Sequence, residues 1–172
     1  MEAIPAANRE VIAAAKARTE CHGMGSTIAL VIWTLPEMVI ANVGDSRAYL
    51  LREGALHQLS YDQNVGNELR TNLGFDEERI RSMPNRNTLT MAVGSFDHVL
   101  IRTHEQLLEP GDRILLCSDG LYGPVGETHI TEVLLQGGSL QTQVERLIDC
   151  ANRNGGPDNV TAVLLEYGNL HE

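Results

Sequence analysis

The stretch MVIANVGDSRAYLLREGALHQLS, Met38 to Ser60, holds apolar runs separated by two glycine bends. Runs of branched and aromatic side chains punctuated by Gly and Asp read as strands joined by turns. MVIANVG and RAYLLREG are therefore predicted strands interrupted by GDS, and EGAL is a tight turn into LHQLS. Just upstream, GMGSTIALVIW (Gly23 to Trp33) supplies a further buried strand over Thr27 to Trp33, closed by a turn at Pro36. This part of the chain is predicted to be an antiparallel meander.

Outward from that centre, Ala6 to Thr19 are mostly good helix formers, and Ile4, Val11, Ile12 and Ala15 share one helical face. Residues 62 to 87 are polar and broken by Gly and Pro, which predicts a surface excursion with at most two short helices. Strands are expected again at Thr88 to Val93, Val99 to His104 and Arg113 to Cys117, with EPGD turning into the last. Helices follow at Glu127 to Gln136 and Leu140 to Asn152, whose apolar residues recur at helical spacing, and a strand over Asn159 to Tyr167 closes the chain.

A length of 172 residues with 42% hydrophobic content predicts a single domain, residues 1 to 172, with a sizeable core. The formal net charge of -10 disfavours a phosphate-backbone contact, so nucleic acid is excluded as a partner and cations or basic partners are favoured. Cys21, Cys117 and Cys150 are odd in number and share no C-x-x-C spacing, which argues for a reducing compartment rather than a disulfide framework. The first twenty residues lack the apolar core of a signal peptide, and no run approaches the roughly 18 apolar residues of a membrane helix. A cytoplasmic location without membrane partners is expected.

Three aspartates stand beside strands at glycine-rich bends: Asp45 in ANVGDSRAYL, Asp119 in LLCSDGLYG and Asp158 in GGPDNVTAVLL. Carboxylates held at strand ends suit hard cations such as magnesium or manganese, and a water on such a cation becomes a nucleophile near neutral pH. Taken singly, each aspartate also reads as ordinary turn chemistry. His22, His57, His98, His104, His129 and His171 show no zinc-binding spacing and read as surface or packing residues. Arg47 reads first as the partner of a carboxylate, and Arg79, Arg81 and Arg86 as residues of a solvated loop.

GMGSTIALVIW, ANVGDSRAYLLREGALHQLSYDQN, LTMAVG, GDRILLCSDGLYGPVGETHI and GGPDNVTAVLLEY occur in the order found in metal-dependent serine/threonine protein phosphatases of type 2C. The resemblance runs from about Ala6 to Tyr167. It implies an α/β fold, a layered α-β-β-α sandwich of two antiparallel sheets flanked by helices. It also implies hydrolysis of phosphoserine and phosphothreonine in phosphoprotein substrates by a metal-activated water, with Mn2+ or Mg2+ as cofactor. By position Asp119 and Asp158 resemble the pair that binds the first metal, and Asp45 the carboxylate that helps hold a further, weaker one. Gly120 and Asn159 match the frame around them, and Ser118 is the small residue before the aspartate rather than a nucleophile.

Members of the family begin with further strands that carry a phosphate-binding Arg, a Glu-Asp pair and an Asp-Gly pair whose Asp bridges two metals. The one Asp-Gly here is Asp119-Gly120, so the fold is expected to be reduced on its N-terminal side and the activity reduced with it. The rivals are a pseudophosphatase acting as a binding or regulatory module, and a fragment completed by other strands, although the initial Met and early helix read as a start. An uncovered sheet edge further predicts a homodimer or a rearranged first helix.

Overall fold

The computed structural model describes residues 2–168. In chain order the elements are α1 (Ala3–Ala17), a 3-10 turn (Thr19–Cys21), β1 (Ile28–Trp33), β2 (Glu37–Val43), β3 (Arg47–Arg52), β4 (Ala55–Gln58), α2 (Val65–Leu73) and α3 (Glu77–Arg81). They continue with β5 (Arg102–Leu107), β6 (Arg113–Cys117), α4 (Asp119–Val125), α5 (Glu127–Leu135), α6 (Leu140–Arg153) and β7 (Ala162–Glu166). The strands form two antiparallel sheets, ordered β1-β2-β5 and β4-β3-β6-β7. The expected meander is thus divided: β2 and β3 are in different sheets, and the Gly44-Asp45-Ser46 bend carries the chain from one to the other. Alternating side chains cannot show this, because a strand that changes sheets keeps the same period as one that folds back on its neighbour.

The chain divides into two compact units, one from residues up to Ile28 with Asn42–Asp45 and Tyr61–Arg102, the other from Ala29–Ala41, Ser46–Ser60 and residue 103 onward. In the second unit the period-2 alternation of β3, β6 and β7 feeds two cores. Tyr49, Leu51, Leu115, Cys117 and Leu164 point to one side, where they pack with Leu121, Ile130, Val133, Leu134 and Leu147 of α4, α5 and α6. Ala48 and Ile114, with Leu116 and Leu165, point to the other, where they meet Met38 and Ile40 of β2 and Leu108. Helices, a four-stranded sheet and a three-stranded sheet are stacked in that order, each buried face held by the hydrophobic effect.

In the first unit α1 is fixed by a polar contact that its apolar pattern does not reveal. Asn8 is 1% exposed; its Nδ2 donates to the Phe96 carbonyl at 2.9 Å and its Oδ1 accepts from the Gly94 amide at 2.7 Å. Ile4 is buried as expected, whereas Val11, Ile12 and Ala15 are half-buried. The polar excursion holds two short helices: Asn64 caps α2 by accepting from the Asn67 amide, Gly74 ends it in the left-handed region (φ 65°), and Asp76 caps α3. Arg79 lies over the Phe75 ring at 3.9 Å, and Arg86 donates to the Met83 carbonyl at 3.3 Å, so these arginines serve their own loop.

Two expected strands differ. Thr88 to Val93 makes only isolated bridges, Ser26 with Val93 and Asn64 with Leu89, because its amides and carbonyls bond to separate loop segments rather than to one strand. The run expected from Val99 forms β5 only from Arg102, since the Leu100 carbonyl is taken by Gln63 Nε2 at 2.8 Å.

Candidate metal centre

β6 and β7 pair antiparallel in the register Cys117 to Ala162, which sets the end of one strand beside the start of the other. The pairing continues past the strands: the Ser118 amide donates to the Thr161 carbonyl at 3.1 Å. The Ser118 hydroxyl accepts from the Thr161 amide at 3.1 Å and donates to the Asn159 carbonyl at 3.2 Å. Both capacities of this hydroxyl are spent on the backbone, in agreement with its expected structural part. Gly120 then lies flat on the neighbouring turn, where a Cβ would meet the Asn159 carbonyl oxygen at 2.3 Å and that of Asp158 at 3.3 Å. The SDG and PDN segments are thereby locked together, and with them Asp119 and Asp158.

Asp119 is not a turn residue. It opens α4, with Ser118 at its N-cap, a helix that apolar periodicity does not reveal because Gly120, Gly123 and Pro124 fill so much of it. One carboxylate oxygen of Asp119 accepts from the Gly120 amide at 2.9 Å, and one of Asp158 accepts from the Asn159 amide at 2.7 Å. The second oxygen of each has no hydrogen-bond or ionic partner among the described residues. Two neighbouring aspartates without a protein counter-ion, one half-buried and one exposed, are the donor chemistry that a hard, partly hydrated cation accepts. No three His, Cys, Asp or Glu residues come together to enclose a metal among the described residues. The donor set is therefore open and leaves most of a coordination sphere to water or to oxygens of another molecule.

Asp45 belongs to the first unit and is 6% exposed, with interactions of its own. The bend before it is tightly determined: Gly44 has φ 93°, and a Cβ there would meet Thr27 Cγ2 at 2.4 Å. The Gly44 amide donates to Gln63 Oε1 at 2.7 Å, and the Gly44 carbonyl accepts from Asn42 Nδ2 at 3.2 Å. Glycine is required here for both reasons.

Arg47 takes the structural part expected of it, although its carboxylate is distant in sequence. Its Nη1 donates to Glu127 Oε1 at 3.0 Å and to the Tyr49 hydroxyl at 2.6 Å, and its guanidinium covers the Tyr122 ring at 3.8 Å. Burial pushes the Tyr49 phenol well up, and Arg47 offsets only part of this, so Tyr49 stays a neutral hydrogen-bonding group.

Residues 2–69 match the family model for Protein phosphatase 2C. The serine/threonine phosphatase stp of Listeria monocytogenes is 36% identical over 159 residues, which make up 92% of this chain and 63% of that protein. The solved S. agalactiae serine/threonine phosphatase has a TM-score of 0.89 at 34% identity, covering 96% of this chain and 68% of the other. The catalytic domain of PstP, solved in complex with two manganese ions, has a TM-score of 0.82 at 32% identity, over 94% of this chain and 67% of that one. The chain thus spans less than two thirds of the length of the Listeria phosphatase.

Proposed function

The chain belongs to the protein phosphatase 2C family, and on that premise we propose that residues 1–172 act as one domain that hydrolyses phosphoserine and phosphothreonine in proteins. The observation that supports this most directly is the locked pair of SDG and PDN segments, which presents Asp119 and Asp158 with an open oxygen each. In this reading Asp119 and Asp158 hold Mn2+ or Mg2+, and Asp45 is an accessory ligand. The two manganese ions of the PstP structure support the choice of metal.

Such a cation, when bound, supplies Lewis acidity toward phosphate oxygen and water. The chain's own residues do the rest. Asp119 and Asp158 offer carboxylate oxygen to the ion, the Gly120 and Asn159 amides fix the orientation of those carboxylates, and the Ser118 hydroxyl holds the two turns in register. Arg47 is engaged with Glu127, Tyr49 and Tyr122, which supports a structural part for it.

The substrate class is a phosphoprotein, and the three free cysteines suit a reducing, cytoplasmic setting. No helix of the described residues is long and apolar enough to cross a membrane. We further read the chain as a homodimer. β1 is an outer strand of its sheet, and Ile32, Trp33 and Leu35 at its end are 55%, 38% and 56% exposed. A second copy pairing along this edge covers them and satisfies the open strand.

The test is manganese-dependent turnover of p-nitrophenyl phosphate and a phosphothreonine peptide by the wild type, Asp119→Ala and Asp158→Ala, with metal binding measured by calorimetry. Turnover is expected to fall by at least about 100-fold in both variants, the scale of losing a main electrostatic group. Neither variant is expected to bind manganese or to lose stability, since each relieves repulsion between neighbouring carboxylates. Unchanged manganese affinity in Asp119→Ala would sink the ligand assignment. A binding module that holds a phosphorylated partner without turnover is the second reading. It is favoured by the two-carboxylate donor set, and metal binding with no turnover would establish it.

A further inference from the structure

α5 and α6 bring together four side chains that the proposed metal site does not use. Cys150 Sγ lies 3.5 Å from His129 Nε2, and His129 Nδ1 lies 2.8 Å from Glu132 Oε2. Arg153 Nη2 donates to the same sulfur at 3.3 Å. His129 and Glu132 are three residues apart on one face of α5, and Cys150 and Arg153 are three apart on α6, so helical spacing builds the group from both sides. No pattern along the sequence joins them.

The chemistry of this order of groups is specific. With Nδ1–H donated to the Glu132 carboxylate, Nε2 is the free acceptor and can take the thiol proton. This is the logic of a nucleophile, a base and an orienting carboxylate. The Arg153 guanidinium donates to the sulfur from the other side of the group. Cys150 is 9% exposed, whereas the His129 side chain, 3.5 Å from the sulfur, is 48% exposed.

We propose that Cys150 is a reactive thiol and a site of reversible oxidation by hydrogen peroxide, with His129 as its base and Glu132 and Arg153 as positioning residues. The thiol proton passes to His129 Nε2, and the sulfur attacks one peroxide oxygen. The S–O bond forms as the O–O bond breaks, sulfur is oxidised and peroxide oxygen is reduced. The departing hydroxide takes the proton from Nε2 and leaves as water, with Cys150 as the sulfenic acid. A low-molecular-weight thiol then displaces a second water to give a mixed disulfide, and a further such thiol restores Cys150.

The chain carries its own controls, because Cys117 is 4% exposed and Cys21, in the 3-10 turn, is half-buried. The folded protein is treated with micromolar peroxide and a sulfenic-acid-trapping dione, and each cysteine peptide is quantified by mass spectrometry. Iodoacetamide labelling is followed in parallel. Cys150 is expected to react ahead of both other cysteines. His129→Ala is expected to slow it by about 100-fold, the lower end of what a positioned base contributes, with unchanged circular dichroism. Added imidazole should restore part of the rate in that variant, which a merely structural histidine would not allow. Glu132→Gln and Arg153→Met are expected to give intermediate rates. Reaction of Cys150 no faster than Cys117 would mean access only through unfolding, and would overturn the proposal. So would a His129→Ala rate equal to the wild type, or one that imidazole leaves unchanged.

Discussion

A methyl group on Gly120 would sit 2.3 Å from the backbone oxygen of Asn159, and a backbone atom cannot step aside as the tip of a side chain can. Gly120→Ala is therefore expected to cost about 1–3 kcal/mol, the usual range for overpacking. It should also weaken manganese binding, because the added methyl pushes apart the SDG and PDN turns that carry Asp119 and Asp158. Gly123→Ala, three residues on in the same helix with nothing within 4 Å of its Cβ, is the matched control and is expected to be neutral or slightly stabilising. Equal melting temperatures for the two variants would remove the close approach as the cause. Of this residue-level chemistry the sequence shows the Asp-Gly pair, and so a choice between turn and ligand. It does not show that the glycine is needed for contact with a segment some forty residues downstream.

At the scale of elements, the turn before β6 is tied back to β3 by one aspartate. Asp112 is 2% exposed; its oxygens accept from Arg52 Nε at 2.8 Å, from Arg52 Nη2 at 2.6 Å and from the Glu109 amide at 2.8 Å. Burial pushes its carboxyl up, but the Arg52 hydrogen bonds, the Glu109 amide and the Arg52 charge outweigh this and hold it below its ordinary value of 3.8. A depressed folded-state value stabilises the fold at pH above the unfolded value, and that contribution is lost as pH falls through the lower, folded one. Asp112→Asn is expected to cost about 2 kcal/mol at neutral pH, less than for a fully buried pair because Arg52 keeps Glu109. Its stability should then fall less steeply than that of the wild type below about pH 4. Parallel acid limbs in chemical denaturation would refute this. EPGD is legible as a turn, whereas its ion pair with a strand sixty residues earlier is not. The same limit hid α4, since helix propensity is poor over Asp119–Val125 and only packing of Leu121 beneath the sheet settles its form.

For the whole molecule, the proposed dimer makes a prediction at the scale of mass. Light scattering at micromolar concentration is expected to give twice the monomer mass, and Ile32→Lys, which sets a charge on the exposed end of β1, is expected to return the monomer. A stable pair should bury about 800 Å² on each copy. A monomer at all concentrations would leave β1 an uncovered edge. The strands of the meander, the amphipathic α5 and α6 and the aspartates worth asking about can be read from the residues, and the two-sheet class from the family resemblance that the motif order carries. Period, turn chemistry and motif order are local properties and can be read along a chain. Folding alone settles that β2 and β3 separate into different sheets, that Asn8 ties α1 to the Phe96 and Gly94 backbone, that Gly120 rests on Asn159, and that Cys150 meets His129. Each of these is a contact between residues far apart in the chain, fixed by which surfaces pack and which buried polar atoms must find partners.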